Sequence, residues 1–168
     1  MKVSVKAKDI AVIGIMSALL ITVQIAMSFL PNIELISLLI ILSTITFGWK
    51  TLYIIYIFAF AEGAIFGFGT WWICYLYVWT ILMLITMIFR KNRSPFFWAM
   101  VAGAFGLSFG ALCSIPFLFI GGKAMALSDY IKGIPFDVIH CIGNYVSVLV
   151  LFKPLYKLFD RLKRKEFR

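Results

Sequence analysis

Charged residues are scarce in this sequence of 168 residues. Only 14% of them are Asp, Glu, Lys or Arg, whereas an ordinary soluble domain has about 25%. Hydrophobic residues make up 63% and aromatic residues 17%, so the chain cannot cover itself with a water-facing surface. We therefore predict an integral membrane protein. At about 20 apolar residues per spanning helix, the length leaves no room for a sizeable aqueous domain such as a kinase or a DNA-binding module.

Residues that build catalytic or metal centres are also few. The sequence has one histidine and three cysteines, and it contains no His-Glu-x-x-His, Cys-x-x-Cys or P-loop motif. Cys74, Cys113 and Cys141 lie in apolar segments without metal or disulfide spacing, and we interpret them as small hydrophobic residues. We expect no catalytic residue, metal ligand or bound cofactor, and no ATP hydrolysis through a P-loop by this chain.

Hydropathy divides the chain into six apolar segments. The second and third have only 15 residues each, about 22 Å of helix, which is short for a hydrocarbon core of about 30 Å. We predict a single all-α membrane domain over residues 1–168, built as a bundle of six transmembrane helices with a basic tail at 153–168. The predicted helices are 10–30, 33–47, 52–66, 71–89, 96–120 and 134–152.

Basic residues are divided unevenly between the predicted loops. Of the 16 Lys and Arg residues, 14 fall on one predicted side of the membrane, and only Lys123 and Lys132 fall on the other. Because cytoplasmic loops carry an excess of Lys and Arg, we predict that both termini are cytoplasmic. The net charge of +9 then belongs beside anionic lipid headgroups and does not indicate nucleic acid. Four of the seven acidic residues lie in the outer half, namely Glu34, Glu62, Asp129 and Asp137.

The last apolar segment carries polar residues on one helical face. Asp137, His140, Cys141 and Asn144 stand at positions i, i+3, i+4 and i+7, which bring them to the same face. Ionisable groups in a membrane face protein or water, because exposure to lipid is costly. Two interpretations are open: a hydrogen-bonded seam between helices, or one wall of a ligand site.

Aromatic residues are concentrated in the fourth segment. Trp71 and Tyr77 fit an interfacial belt, whereas Trp72, Tyr75 and Trp79 follow i, i+3 and i+7 and could stack a planar or cationic ligand. Glu34 and Glu62 stand at outer helix ends, where each is either a solvated boundary charge or a ligand contact. The predicted substrate-binding residues are Glu34, Glu62, Trp72, Tyr75, Trp79, Asp137, His140 and Asn144.

Small residues recur every four positions in the first segment. Gly14, Ala18, Thr22 and Ala26 form a stripe that allows another helix to approach closely. The stripe is either an internal seam or a face that docks a partner subunit, and Gly14 and Ala18 are the predicted docking residues.

Taken together, these features resemble the substrate-binding S component of energy-coupling factor (ECF) transporters. The resemblance lies in the stripe from Gly14 to Ala18, the opening Pro31-Asn32-Ile33-Glu34 of the second helix, and the closing GIPFDVIHCIGNYV with its basic tail. It implies a six-helix protein of the prokaryotic plasma membrane that captures a vitamin or related micronutrient on its outer side. It also implies partners: a transmembrane coupling subunit and two ATPase subunits, which would use the ATP.

Two other functions stay open: a self-sufficient small transporter or channel, and an intramembrane enzyme. A channel should carry polar residues along its whole path, but here they lie mostly in the outer half, which favours a blind pocket. The aromatic and acidic residues favour a neutral or positively charged ring compound over a dianion. Thiamine-like, pyrimidine or pyridine compounds fit this description, and a corrinoid held at the outer mouth is not excluded.

The charge distribution gives a testable topology. On a cysteine-free background, Asn92→Cys and Lys165→Cys should be protected from an impermeant thiol reagent added outside intact cells, because both positions are predicted to be cytoplasmic. Labelling of either position from outside would contradict the predicted orientation.

Overall fold

The computed structural model describes the chain from residue 7 to residue 166, and its side chains as far as residue 163. Residues 1–6 and 167–168, which belong to the predicted cytoplasmic ends, lie outside the described residues. All regular structure in the described part is helical. The helices are α1 (Ala7–Met27), α2 (Ile36–Phe47), α3 (Thr51–Phe66), α4 (Thr70–Tyr75), α5 (Val78–Ile88), α6 (Pro95–Cys113), α7 (Ile115–Ile120) and α8 (Gly122–Glu166), with a 3₁₀ turn at Gly48–Lys50.

Five helical stretches of the described chain are long and apolar enough to cross a membrane. They are Ala7–Met27, Ile36–Phe66, Thr70–Ile88, Pro95–Ile120 and Gly122–Lys163. This result confirms an all-α protein whose helices are compatible with several membrane passes. The count is five where the sequence predicts six, because α2, the 3₁₀ turn and α3 form one uninterrupted helical stretch.

The chain nevertheless reverses within that stretch. Gly48 has φ +62°, a left-handed conformation that favours glycine, and it directly follows α2. A straight helix of 31 residues would be about 46 Å long, yet Glu34, just before α2, and Glu62, near the end of α3, line the same cavity. α2 and α3 therefore run in opposite directions.

α2 forms the centre of the bundle. Each residue from 36 to 46 is buried, which explains why this segment is apolar on all sides. α2 packs against α5 and α8, while α3 packs against α1 and α8 lies along α6. The contact between α6 and α8 is close: a Cβ on Gly106 would lie 2.9 Å from the carbonyl oxygen of His140, so a larger residue would push the two helices apart.

The structure interrupts or extends three of the predicted helices. The predicted fourth and fifth helices are each interrupted, between α4 and α5 and again at Ser114, between α6 and α7. The predicted sixth helix, 134–152, is the middle of α8, which has 45 residues and contains Pro135 and Pro154. Hydropathy alone ended that helix at Lys132 and Lys153, but a helix can continue beyond the apolar core into the region where lysine is solvated.

The interpretation of all three cysteines as small hydrophobic residues was wrong for two of them. Cys74 in α4 and Cys113 at the end of α6 form a disulfide, with their Cα atoms 5.0 Å apart, a normal separation for such a bond. Cys141 is free. The pair is 39 residues apart in sequence, so only the meeting of α4 with α6 brings the two thiols together.

Candidate ligand-binding cavity

A cavity of about 340 Å³ lies beneath the loop that joins α1 to α2. Residues of α3, α4, α5, α6 and α8 complete its wall. Its volume falls at the lower end of the range for small-molecule sites, about 300–1,000 Å³. Five of the eight predicted substrate-binding residues line it; Trp72, Asp137 and Asn144 do not. The lining residues are Gln24, Met27, Ser28, Leu30, Pro31, Asn32, Ile33, Glu34, Glu62, Phe66, Trp71, Tyr75, Trp79, Phe109 and His140.

Glu34 is fixed in the cavity wall by two contacts. Its Oε2 accepts a hydrogen bond of 2.9 Å from the backbone N–H of Ser37, at the start of α2. Its Oε1 lies 3.3 Å from Nε2 of His140, so an N–H at Nε2 donates to the carboxylate. Burial would raise the pKa of Glu34, but the hydrogen bond and charge of His140 and the hydrogen bonds from Ser37 together lower it. Glu34 is therefore an ionised and already partnered group.

Three other lining residues each have a buried polar atom without a hydrogen-bond partner in the described chain. These atoms are Oε1 of Glu62, Nε1 of Trp79 and Nδ1 of His140. Glu62 and Trp79 are each only 2% exposed, so water does not readily satisfy them. A buried polar atom left unpaired costs about 1–3 kcal/mol. Three residues of the cavity wall thus carry an acceptor, a donor and an imidazole nitrogen that the described chain leaves unpaired.

Aromatic rings form a continuous wall from Trp71 in α4 to His140 in α8. The ring centroids of Trp71 and Tyr75 are 5.2 Å apart, and those of Tyr75 and Trp79 are 5.5 Å apart. Phe109 continues the series, 5.6 Å from Trp79 and 4.9 Å from the ring of His140. Such a wall can contact a planar ring and can also stabilise a cation.

The structure changes the assignment of the tryptophans in α4. Trp71, expected in an interfacial belt, lines the cavity, whereas Trp72 donates from Nε1 to the carbonyl oxygen of Ala59 at 2.7 Å. Tyr77, also expected in the belt, donates to the carbonyl oxygen of Leu112 at 2.6 Å. Within α4, Tyr75 shares the cavity face with Trp71, four residues earlier, whereas Trp72, three residues earlier, lies against α3.

Asp137 and Asn144 serve the packing of α8. Oδ1 of Asp137 accepts from the backbone N–H of Gly110 at 2.9 Å. Nδ2 of Asn144 donates to Oγ of Ser37 at 3.1 Å and to the carbonyl oxygen of Ala102 at 3.4 Å. Of the two interpretations of the polar face, the seam between helices describes Asp137 and Asn144, and the cavity wall describes His140.

Gly14 and Ala18 lie on the exposed perimeter of the bundle. Both are exposed, and a Cβ built on Gly14 would have no atom of the described chain within 4 Å. Ile13, Met16 and Leu20 are the residues of α1 that pack inward. The small-residue stripe is therefore not a seam within this bundle.

Some lining residues carried no recognisable signal in the sequence. Phe109 is one of 17 phenylalanines, and nothing in its neighbourhood distinguishes it. Pairing of the two cysteines would have indicated Phe109 indirectly. Cys74 precedes Tyr75, and Cys113 stands one helical turn after Phe109. The disulfide joins the two helices that carry these opposite parts of the wall.

The described residues form neither a metal cluster nor a nucleophile elbow. No group of three or more His, Cys, Asp or Glu side chains in the described chain could hold a metal ion. Gly106 to Gly110 matches the letters Gly-x-Ser-x-Gly, but the stretch lies inside α6 and not at a strand-to-helix turn. Ser108 is exposed there and donates to the carbonyl oxygen of Ala104 at 2.8 Å.

Comparisons with protein-family models, with curated proteins and with solved structures find no match to this chain.

The hydrogen-bond pattern predicts opposite stability effects for two buried polar residues. Asn144→Ala should lower the free energy of unfolding by about 0.5–2 kcal/mol, because Ser37 and Ala102 lose a donor. Glu62→Gln should leave it unchanged or raise it, because the change removes an unpaired buried carboxylate. Unfolding of ligand-free protein in detergent would measure both. A larger loss for Glu62→Gln than for Asn144→Ala would show that Glu62 supports the fold.

Proposed function

We propose that this chain is the substrate-binding S component of an ECF-type importer in a prokaryotic plasma membrane. It captures a vitamin or related heterocyclic micronutrient on the outer side and delivers it with a coupling subunit and two ATPases. The observation that carries the proposal is the cavity of about 340 Å³, with unpaired polar atoms on Glu62, Trp79 and His140.

The proposed topology has six passes and both termini in the cytoplasm. The reversal at Gly48 supports six passes, because it makes α2 and α3 two crossings. The ion pair between Asp9 and Lys50 places the start of α1 at the same end of the bundle as this reversal. The cavity lies at the other end, so the inner, basic end and the outer, ligand-binding end are separate.

The interior of the bundle supports capture in a blind pocket over a channel. Beyond the cavity, the centre of the bundle is filled by fully buried apolar side chains. α2 contributes Leu38 and Ile41, α3 contributes Ile54 and Ile55, and α5 contributes Leu82. Close packing of this kind leaves no space for a hydrated ion path, so a substrate held in the cavity needs a large movement of the protein to cross.

The cavity favours a compact ring compound that carries a positive charge or strong hydrogen-bond donors. Glu34 is already partnered by His140, whereas Oε1 of Glu62 is not. A cation or N–H group of the substrate can satisfy Glu62 while the aromatic wall contacts its ring. Lys123 and Lys132 do not line the cavity, which argues against a dianion, and the volume is too small to enclose a corrinoid. Thiamine-like, pyrimidine and pyridine compounds fit.

Mass spectrometry of small molecules released from the purified protein tests capture directly. Wild-type protein should release a compact heteroaromatic compound, and Glu62→Gln should reduce its recovery about tenfold, since an unmatched charged contact costs about 1–3 kcal/mol. Asp129→Asn is the matched control, because Asp129 lies outside the cavity and accepts from Ser114. Recovery of a dianion would contradict the substrate class. Release of no compound from the wild type would contradict capture.

The exposed stripe on α1 supports docking of a coupling subunit. Gly14→Trp and Ala18→Trp should abolish uptake in cells that contain the coupling module, because a bulky side chain prevents close helix approach, and should leave ligand binding by the isolated protein intact. Met100→Trp is a control at an exposed position of α6 and should keep uptake. Full uptake by both α1 variants would contradict the ECF assignment, and loss of ligand binding would place the stripe within the fold.

A further inference from the structure

A second, larger groove of about 530 Å³ lies between the last part of α8 and the start of α6, away from the ligand cavity. Pro95, the first residue of α6, forms one side of it. The other side is α8, with three cations and three exposed apolar residues: Lys153, Lys157, Arg161, Leu149, Val150 and Leu158.

The three cations form one row. Lys153, Lys157 and Arg161 are spaced four residues apart, so they lie on one face of α8 over about 12 Å. No carboxylate is among the lining residues in the described chain. Asp160, the nearest acidic residue in sequence, lines a different pocket with Arg93 and Tyr156. The groove therefore carries three positive charges that its own walls do not neutralise.

The row lies at the level where the helices of the bundle begin and end. Phe152 lies against Trp98 near the start of α6, with ring centroids 6.4 Å apart. Phe159 lies 6.2 Å from Phe47, the last residue of α2. Val150, one turn nearer the middle of the bundle, is 63% exposed. The groove thus changes from apolar to basic where a spanning helix passes from hydrocarbon to headgroups.

We propose that this groove binds an acidic glycerophospholipid, with its phosphate beside Lys153, Lys157 and Arg161 and the upper part of an acyl chain along Leu149 and Val150. Phosphate is the headgroup chemistry that a row of Lys and Arg recognises. The positive end of α6, at Pro95, adds to the attraction. A free anion or a water-soluble acidic peptide would not use the apolar half of the groove.

Native mass spectrometry of the purified full chain, with phosphatidylglycerol or phosphatidylcholine added in equal amounts, tests the proposal. Wild-type protein should retain phosphatidylglycerol about tenfold better. The combined change Lys153→Gln, Lys157→Gln and Arg161→Gln should remove this preference. The matched control, Lys8→Gln with Lys91→Gln and Lys132→Gln, removes the same charge from exposed positions outside the groove and should keep it.

Equal retention by the wild type and the groove variant would overturn the proposal, as would equal loss in the control, which would show a general charge effect. Val150→Ser tests the apolar half and should lower phosphatidylglycerol retention about threefold, whereas no loss would show that only the phosphate is bound and would overturn the lipid assignment. If the triple variant is not monodisperse and helical, Lys157→Gln alone replaces it, with a reduced preference expected and an unchanged preference overturning the proposal.

Discussion

The reversal of the chain at Gly48 is the constraint on which the rest of this structure depends. Because α2 and α3 run in opposite directions, Glu34 and Glu62 meet at one end of the bundle although 27 residues separate them. The same reversal places α2 at the centre, where its apolar residues pack against α5 and α8. A continuous helix over this stretch would separate the two carboxylates by most of the thickness of a membrane.

Buried polar residues lie both between helices and around the cavity. Asp137 and Asn144 bond to neighbouring helices and fix the position of α8. Glu62, Trp79 and His140 keep a polar atom unpaired in the described chain, and all three lie around one cavity. Unpaired buried groups reduce stability. Three of the seven such atoms in the described chain belong to residues of the cavity wall, which supports a ligand site there.

The exposed perimeter of the bundle carries two distinct features. The exposed glycine and alanine of α1 form a face on which another helix can lie closely, and the basic groove of α8 offers charge beside apolar surface. Both lie away from the ligand cavity. This separation would let the proposed substrate, coupling subunit and lipid bind to different residues.

The sequence alone predicts an all-helical protein with helices apolar enough to cross a membrane, and five of the eight residues selected from it line the cavity. These properties depend on composition and on local helical spacing, which can be read directly from the order of residues. The packing of the helices was needed to show that Trp71 and not Trp72 lines the cavity, that Cys74 pairs with Cys113, and that Asn144 belongs to a seam. Each of these outcomes depends on the contacts between helices. Those are set by packing between residues far apart in the chain, which local spacing does not encode.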